Sequence, residues 1–195
     1  MIIGITGGTG CGKSTLLEMI RQQGGLVLDC DAIYHELLKT DPSLLCAIEN
    51  RFPGTVEDGV LDRKKLGNIV FADAEALADL NAITHKAVKD EVIRRIEGTD
   101  RSIPNTIAID AYGLFEGGLA ELCAVTVAVV APAEDRIRRL MARDAITEDY
   151  ARSRIAAQRS NEEFSSLCQY TLHNNGSLED FQSKCLAFLQ EIGII

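Results

Sequence analysis

The chain opens Met1-Ile2-Ile3-Gly4-Ile5-Thr6 and continues Gly7-Gly8-Thr9-Gly10-Cys11-Gly12-Lys13-Ser14-Thr15. Gly7, Gly12, Lys13 and Ser14 satisfy the spacing G-x-x-x-x-G-K-[ST]. An apolar run leads in, and Leu16, Leu17, Met19 and Ile20 follow at helical spacing. Strand, glycine loop, helix is the order an anion cradle needs. Glycines at 7, 10 and 12 let the backbone turn its N–H groups inward. The helix N-terminus adds further donors and a partial positive charge. In such a loop Lys13 would reach the β- and γ-phosphates of a nucleotide and the Ser14 hydroxyl would ligate Mg²⁺. Cys11 and Thr15 complete the cofactor-binding stretch. A chain that begins this way is expected to fold as an α/β layer with a parallel sheet.

The remaining strands support that class. Leu26-Val27-Leu28 reads as a short buried strand ending in Asp29-Cys30-Asp31. If this strand neighbours the first, both aspartates lie near the phosphate loop, because ligands gather at the carboxyl ends of parallel strands. Asp31 carries two readings: N-cap of a helix over 32–38, or an active-site carboxylate. Thr106-Ile107-Ala108-Ile109-Asp110 is a third strand of Walker B form, which places Asp110 in the Mg²⁺ shell. Residues 124–131 form a fourth, and residues 169–172 a fifth. The third and fourth runs lack polar alternation, as expected of strands covered on both faces.

Between strands two and three the pattern from Asp41 to Gly98 is almost wholly helical, with Leu44, Leu45 and Ile48 on one face and a break at Phe52-Pro53-Gly54. A helix from Asp62 runs through Phe71, and a longer one carries Leu77, Leu80, Ile83, Val88, Val92, Ile93 and Ile96 inward. This block is too long for a plain crossover and is expected to be an inserted substrate-binding subdomain. Residues 132–159 hold Arg136, Arg138, Arg139, Arg143, Arg152, Arg154 and Arg159. Arginine suits bidentate phosphate contacts, and a solvated face paired with Glu134, Asp135, Asp144, Glu148 and Asp149 is the other reading. Residues 144–147 separate two helical pieces, as a lid hinge would. A closing helix over 178–192 carries Phe181, Leu186 and Leu189 inside.

Composition narrows the function classes. With 195 residues, 46% hydrophobic and 25% charged, one globular domain has a real core. A net charge of −9 argues against general nucleic-acid binding. No signal peptide is expected ahead of the first strand, and no apolar run approaches a membrane span. The six cysteines, Cys11, Cys30, Cys46, Cys123, Cys168 and Cys185, form no C-x-x-C pair and suit a reducing cytoplasm. Cys11, beside a lysine and a helix N-terminus, is also read as a thiol of lowered pKa whose alkylation would block ATP, against an inert residue filling the loop. His35 and His85 fall in helical stretches, either facing substrate or simply packed. Without further ligands at suitable spacing none of the three histidines suggests a metal site.

The chain resembles the dephospho-coenzyme A kinases. The stretches that carry the likeness are the phosphate loop, Asp29-Cys30-Asp31-Ala32-Ile33-Tyr34-His35-Glu36-Leu37, Leu61-Asp62-Arg63 through Leu66 and Phe71, Leu114-Phe115-Glu116-Gly117-Gly118-Leu119, and Arg139, Arg143-Asp144, Arg154-Ile155, Gln158, Asn174 and Gly176. The likeness runs nearly end to end. It implies transfer of the ATP γ-phosphoryl to the ribose 3′-hydroxyl of dephospho-coenzyme A, the last step to coenzyme A, in the cytoplasm. It implies a P-loop NTPase-type five-stranded parallel sheet flanked by helices. The core would span about 1–30, 106–132 and 168–195, the helical substrate subdomain about 31–105, and the arginine-rich lid about 133–167. Lys13, Asp31 and Arg139 would be catalytic, Asp31 as base for the acceptor hydroxyl. Arg143 and Asn174 would join the ATP site. His35, Arg63, His85, Tyr112, Phe115 and Glu116 would face the acceptor. Two departures bear on that pocket: Tyr112-Gly113 stands where the family usually has Pro-Leu, and Lys86 where proline usually follows the histidine. Another small P-loop kinase acting on a nucleoside or nucleotide is the runner-up. A nucleotide-dependent switch is a third reading, although the guanine-reading N-K-x-D motif is missing. Oligomeric state is not readable.

Overall fold

The computed structural model describes residues 1–100 and 106–195. The expected end of the helical block, at 101–105, lies outside the described residues. Two compact units emerge. One comprises Met1–Leu28, the described residues of Arg101–Phe115, and Leu119–Ile195; the other comprises Asp29–Asp100 with Glu116–Gly118.

The first unit is built on a five-stranded parallel sheet. Its strands are β1 (Ile2–Thr6), β2 (Leu26–Asp29), β5 (Ile107–Asp110), β6 (Val125–Val130) and β7 (Tyr170–His173), in the order β2-β5-β1-β6-β7. The phosphate-loop strand is therefore central, and its register sets Ile5 beside Asp110 on one side and Val127 on the other. The condition that strand two neighbours strand one is not met: β5 lies between them. β2 is an edge strand and only Leu28 in it is buried.

Alternate residues of the central strands face opposite sides. Ile3, Ile5, Val127 and Val129 pack with Leu16, Leu17 and Ile20 of α1 (Lys13–Gln22) and with Phe181, Cys185, Phe188 and Leu189 of α9 (Leu178–Glu191). Ala128 and Val130 turn to the other side, against Phe164 of α8 (Asn161–Leu167). Two buried faces are why these strands read as unbroken apolar runs. Leu186, expected inside, is exposed instead, because Cys185, Phe188 and Leu189 form the inward stripe of α9. α6 (Ala133–Asp144) and α7 (Glu148–Ala156) meet through Ile137, Leu140 and Ala151, with residues 145–147 linking them. Ala145 takes a left-handed conformation there, with φ of 52°.

The second unit is mainly helical: α2 (Cys30–Thr40), α3 (Pro42–Arg51), α4 (Arg63–Val70) and the 24-residue α5 (Ala74–Glu97). Caps set these boundaries, since Asp41, Asp62 and Asp73 each accept a backbone N–H at a helix start. Arg95 bonds Glu36 at 2.8 Å and ties α5 to α2, while Arg51 bonds Asp79 at 2.6 Å and ties α3 to α5. The block is not wholly helical. Val56–Glu57 (β3) and Val60–Leu61 (β4) form a hairpin across Asp58-Gly59, both at positive φ. Helix α4 ends at Val70, and Phe71 at its C-cap is 85% exposed.

Candidate active site

The loop after β1 has the geometry its glycines predict. Gly7, Gly10 and Gly12 have φ of 143°, 75° and 103°, values that a side chain would strain. Gly12 brings no side chain to cap α1, so the N-terminal N–H groups of that helix keep their capacity for an anion. Ser14 and Thr15 sit in the first turn, with Ser14 exposed. Lys13 folds back so that Nζ donates to the Gly7 carbonyl at 2.9 Å and lies 3.8 Å from Oδ1 of Asp110. The loop lysine and the carboxylate ending β5 are thus neighbours. Asp110 and the Ser14 hydroxyl are hard oxygen donors of the kind Mg²⁺ takes, alongside phosphates and water. Among the described residues no cluster of three or more His, Cys, Asp or Glu could hold a metal alone.

The arginines of α6 and α7 divide sharply. Arg139 donates from Nη1 to the carbonyls of Gly10 and Cys11, at 3.2 and 3.4 Å, and from Nη2 to Oδ1 of Asn174 at 3.1 Å. Asn174 is buried and returns an Nδ2 donor to the Cys11 carbonyl at 2.9 Å. These two residues, far apart in sequence, brace the loop together. Arg143 instead chelates Asp144, at 2.7 and 3.0 Å, and Arg154 reaches the same carboxylate at 2.8 Å. The two guanidinium groups hold the Asp144 carboxyl down at about 2. Arg138 pairs with Asp135, and Arg152 with Glu134 and Glu148, on the solvated side. Removing an exposed pair of this kind costs little. Arg139→Ala is therefore expected to lower kcat/KM for ATP by about 10-fold or more, and Arg138→Ala by less than about twofold. Steady-state kinetics of the two variants checks this, and equal small losses would contradict it.

The structure corrects two readings nearby. Cys11 is buried, and burial pushes its thiol upward despite the adjacent Lys13. It fills the loop against Gly7 and is not a reactive thiolate. Mass-mapped alkylation at pH 7.5 is expected to mark the exposed Cys46 and to leave Cys11 unmodified, with or without ATP. Asp31 is not the cap of α2. Asp29 is, accepting the Ala32 N–H at 3.0 Å, which places Asp31 exposed in the first turn with its carboxylate unused for capping.

Tyr112 follows β5, and its backbone carbonyl accepts from the Thr6 hydroxyl at 3.1 Å. Its ring meets Phe164 edge-on, centroids 5.6 Å apart, and its hydroxyl accepts the Arg159 N–H at 3.2 Å. This aromatic joins the turn after β5 to the start of α8. Phe115 is half-buried in the same turn, which closes through N–H groups of Leu119 and Ala120 on the Leu114 carbonyl.

In the second unit, Asp31 and His35 stand one turn apart on α2. Arg63 lies 3.3 Å from Nδ1 of His35, and the Tyr34 ring is beside the imidazole. Burial raises the Tyr34 hydroxyl pKa, with Arg63 opposing it. His85 is half-buried on α5, and Glu116 is exposed. Sequence reasoning missed Arg136 and Thr9. Arg136 is one of seven arginines in its stretch, and nothing local marks it as the buried one.

Comparison with known proteins decides the family. The Dephospho-CoA kinase family profile matches residues 1–180. The chain belongs to the dephospho-CoA kinase family. A Dephospho-CoA kinase from Carboxydothermus hydrogenoformans is 35% identical over 192 residues, covering 97% of this chain and 93% of that one. A crystal structure from Thermus thermophilus superposes with a TM-score of 0.80 at 35% identity, covering 98% of this chain and 97% of the other. The Dephospho-CoA kinase from Campylobacter jejuni gives 0.67 at 27% identity, covering 98% and 96%. The expected kinase and transferase classes, the phosphate-loop sheet and the family therefore hold for this dephospho-CoA kinase family member. Among its described residues no helix is long and apolar enough to cross a membrane.

Proposed function

We propose that this chain transfers the γ-phosphoryl of ATP to the ribose 3′-hydroxyl of dephospho-coenzyme A, yielding coenzyme A. The single observation that carries the acceptor is the family match over residues 1–180. The loop geometry supports the donor half. Phosphoryl transfer asks for positioning and charge stabilisation rather than covalent chemistry. Lys13, kept near the loop mouth by the Gly7 carbonyl and Asp110, is a fixed cation for the β- and γ-phosphates. Ser14 and Asp110 would hold Mg²⁺, which neutralises phosphate charge when bound. Arg139 and Asn174 engage the Gly10 and Cys11 carbonyls, which supports a loop braced for phosphate.

Asp31 takes or orients the proton of the acceptor hydroxyl in this reading. Support comes from its exposure and from Asp29 doing the capping. His35, Arg63, His85, Phe115 and Glu116 recognise the acceptor, and Arg143 with Asn174 the nucleotide. Tyr112 shapes the site from the lid side, given its contact with Phe164. In this reading the reaction takes place in the cytoplasm, between small-molecule substrates and without a nucleic-acid or membrane partner. Initial rates with ATP, Mg²⁺ and a panel of dephospho-coenzyme A, nucleosides, nucleotides and no acceptor test the proposal. Dephospho-coenzyme A should exceed every other acceptor in kcat/KM. Preference for a nucleoside or nucleotide, or acceptor-independent hydrolysis alone, would overturn it.

A further inference from the structure

Arg136 is only 3% exposed, in α6 directly behind the phosphate loop. Its Nε donates to the Thr9 carbonyl at 2.8 Å, and its Nη2 donates to Oε1 of Gln158 at 2.8 Å. The same Gln158 oxygen accepts the Thr9 N–H at 2.9 Å. The guanidinium presses on the loop at Gly8, where any Cβ would collide with Nη2, and the Arg136 backbone lies close behind Gly10. Both acceptors are neutral. Arg138, Arg143, Arg152 and Arg154, all more exposed, each have a carboxylate partner. Among the described residues Arg136 has no carboxylate within ion-pair distance.

A buried cation with only neutral acceptors is costly, and mutual attraction with an anion is what offsets such a cost. Burial lowers the pKa of this guanidinium, yet arginine stays charged in proteins. An anion bound across the loop backbone that Arg136 touches would supply that attraction. We propose that Arg136 is a positioning residue whose counter-anion is the phosphate chain of the bound nucleotide. It holds the loop tip through Thr9 and adds a buried positive field behind Gly8. This inference rests on the nucleotide-binding reading of the loop but not on the identity of the acceptor.

The signature is a penalty that grows with ligand charge. Arg136→Gln keeps an amide donor for the Thr9 carbonyl and removes the charge. Its Kd for ATP should rise by about 10-fold or more, by less for ADP, and hardly at all for adenosine. Inorganic tripolyphosphate, which carries charge without a base, should lose affinity as ATP does. The Tm of the ligand-free variant should not fall, while its ATP-induced Tm rise should shrink. Calorimetric titration and thermal unfolding of the full chain read all of these. A merely structural arginine would lower the ligand-free Tm and weaken adenosine and ATP by one factor, and that result would overturn the proposal. So would an unchanged ATP affinity. Should Arg136→Gln not fold, Arg136→Lys decides: it must keep the preference for ATP over adenosine, and loss of that preference would sink the idea. A wild-type chain that binds ATP but leaves dephospho-coenzyme A unphosphorylated would refute the acceptor reading and leave this test intact.

Discussion

Asp31→Asn is expected to lower turnover by about 10²- to 10⁴-fold, the usual worth of a general base. The fold should barely respond. Asp29, not Asp31, caps α2, and asparagine keeps the size and polarity of the exposed side chain. The only structural loss is a negative charge in the first helical turn, worth about 0.3–1 kcal/mol. Asp29→Ala gives the complementary result. It removes the cap and should cost about 1 kcal/mol of stability. Turnover and thermal unfolding of the two variants thus separate chemistry from capping. Full activity in Asp31→Asn would remove Asp31 from the catalytic apparatus.

Lys13→Ala is expected to lower kcat by about 10²-fold or more, because it deletes the fixed cation at the developing phosphate charge. The lysine lies at the loop rather than in the apolar core, so α1 should remain on the sheet through Leu16, Leu17 and Ile20. One charge-assisted hydrogen bond to the Gly7 carbonyl is lost, worth about 1.5–3 kcal/mol in general. The neighbouring Asp110 loses its nearby lysine as well. A folded variant with low kcat is the expected outcome, checked by circular dichroism alongside kinetics. Near-normal turnover would contradict the assigned role.

Much of this was legible in the sequence because the signals were local. A phosphate loop is nine adjacent residues whose glycines have a geometric purpose, and the readings of Lys13 and Ser14 follow from it, while Asp110 was read from the acid that ends the apolar run Thr106-Ile107-Ala108-Ile109. The order of parallel strands is not a local property. Nothing in Leu26-Val27-Leu28 says that β5 will lie between it and β1. The Val56–Leu61 hairpin was within reach, since Asp58-Gly59 is a strong two-residue turn, but strands of two residues show no period. Capping failed by two positions: Asp29 and Asp31 are equally good caps on paper, and backbone conformation chose between them. Burial was the hardest to foresee. Cys11 beside a lysine looks reactive until the loop closes over it, and Arg136 looks like any surface arginine until α6 docks it behind Thr9.

The most direct test of the central claim is the position of the transferred phosphate. The purified chain, ATP, Mg²⁺ and dephospho-coenzyme A should give a product one phosphoryl group heavier, with two-dimensional ³¹P–¹H NMR placing the new phosphate on the ribose 3′-oxygen. Unchanged acceptor with ATP still intact, or phosphate on another oxygen, would contradict the account.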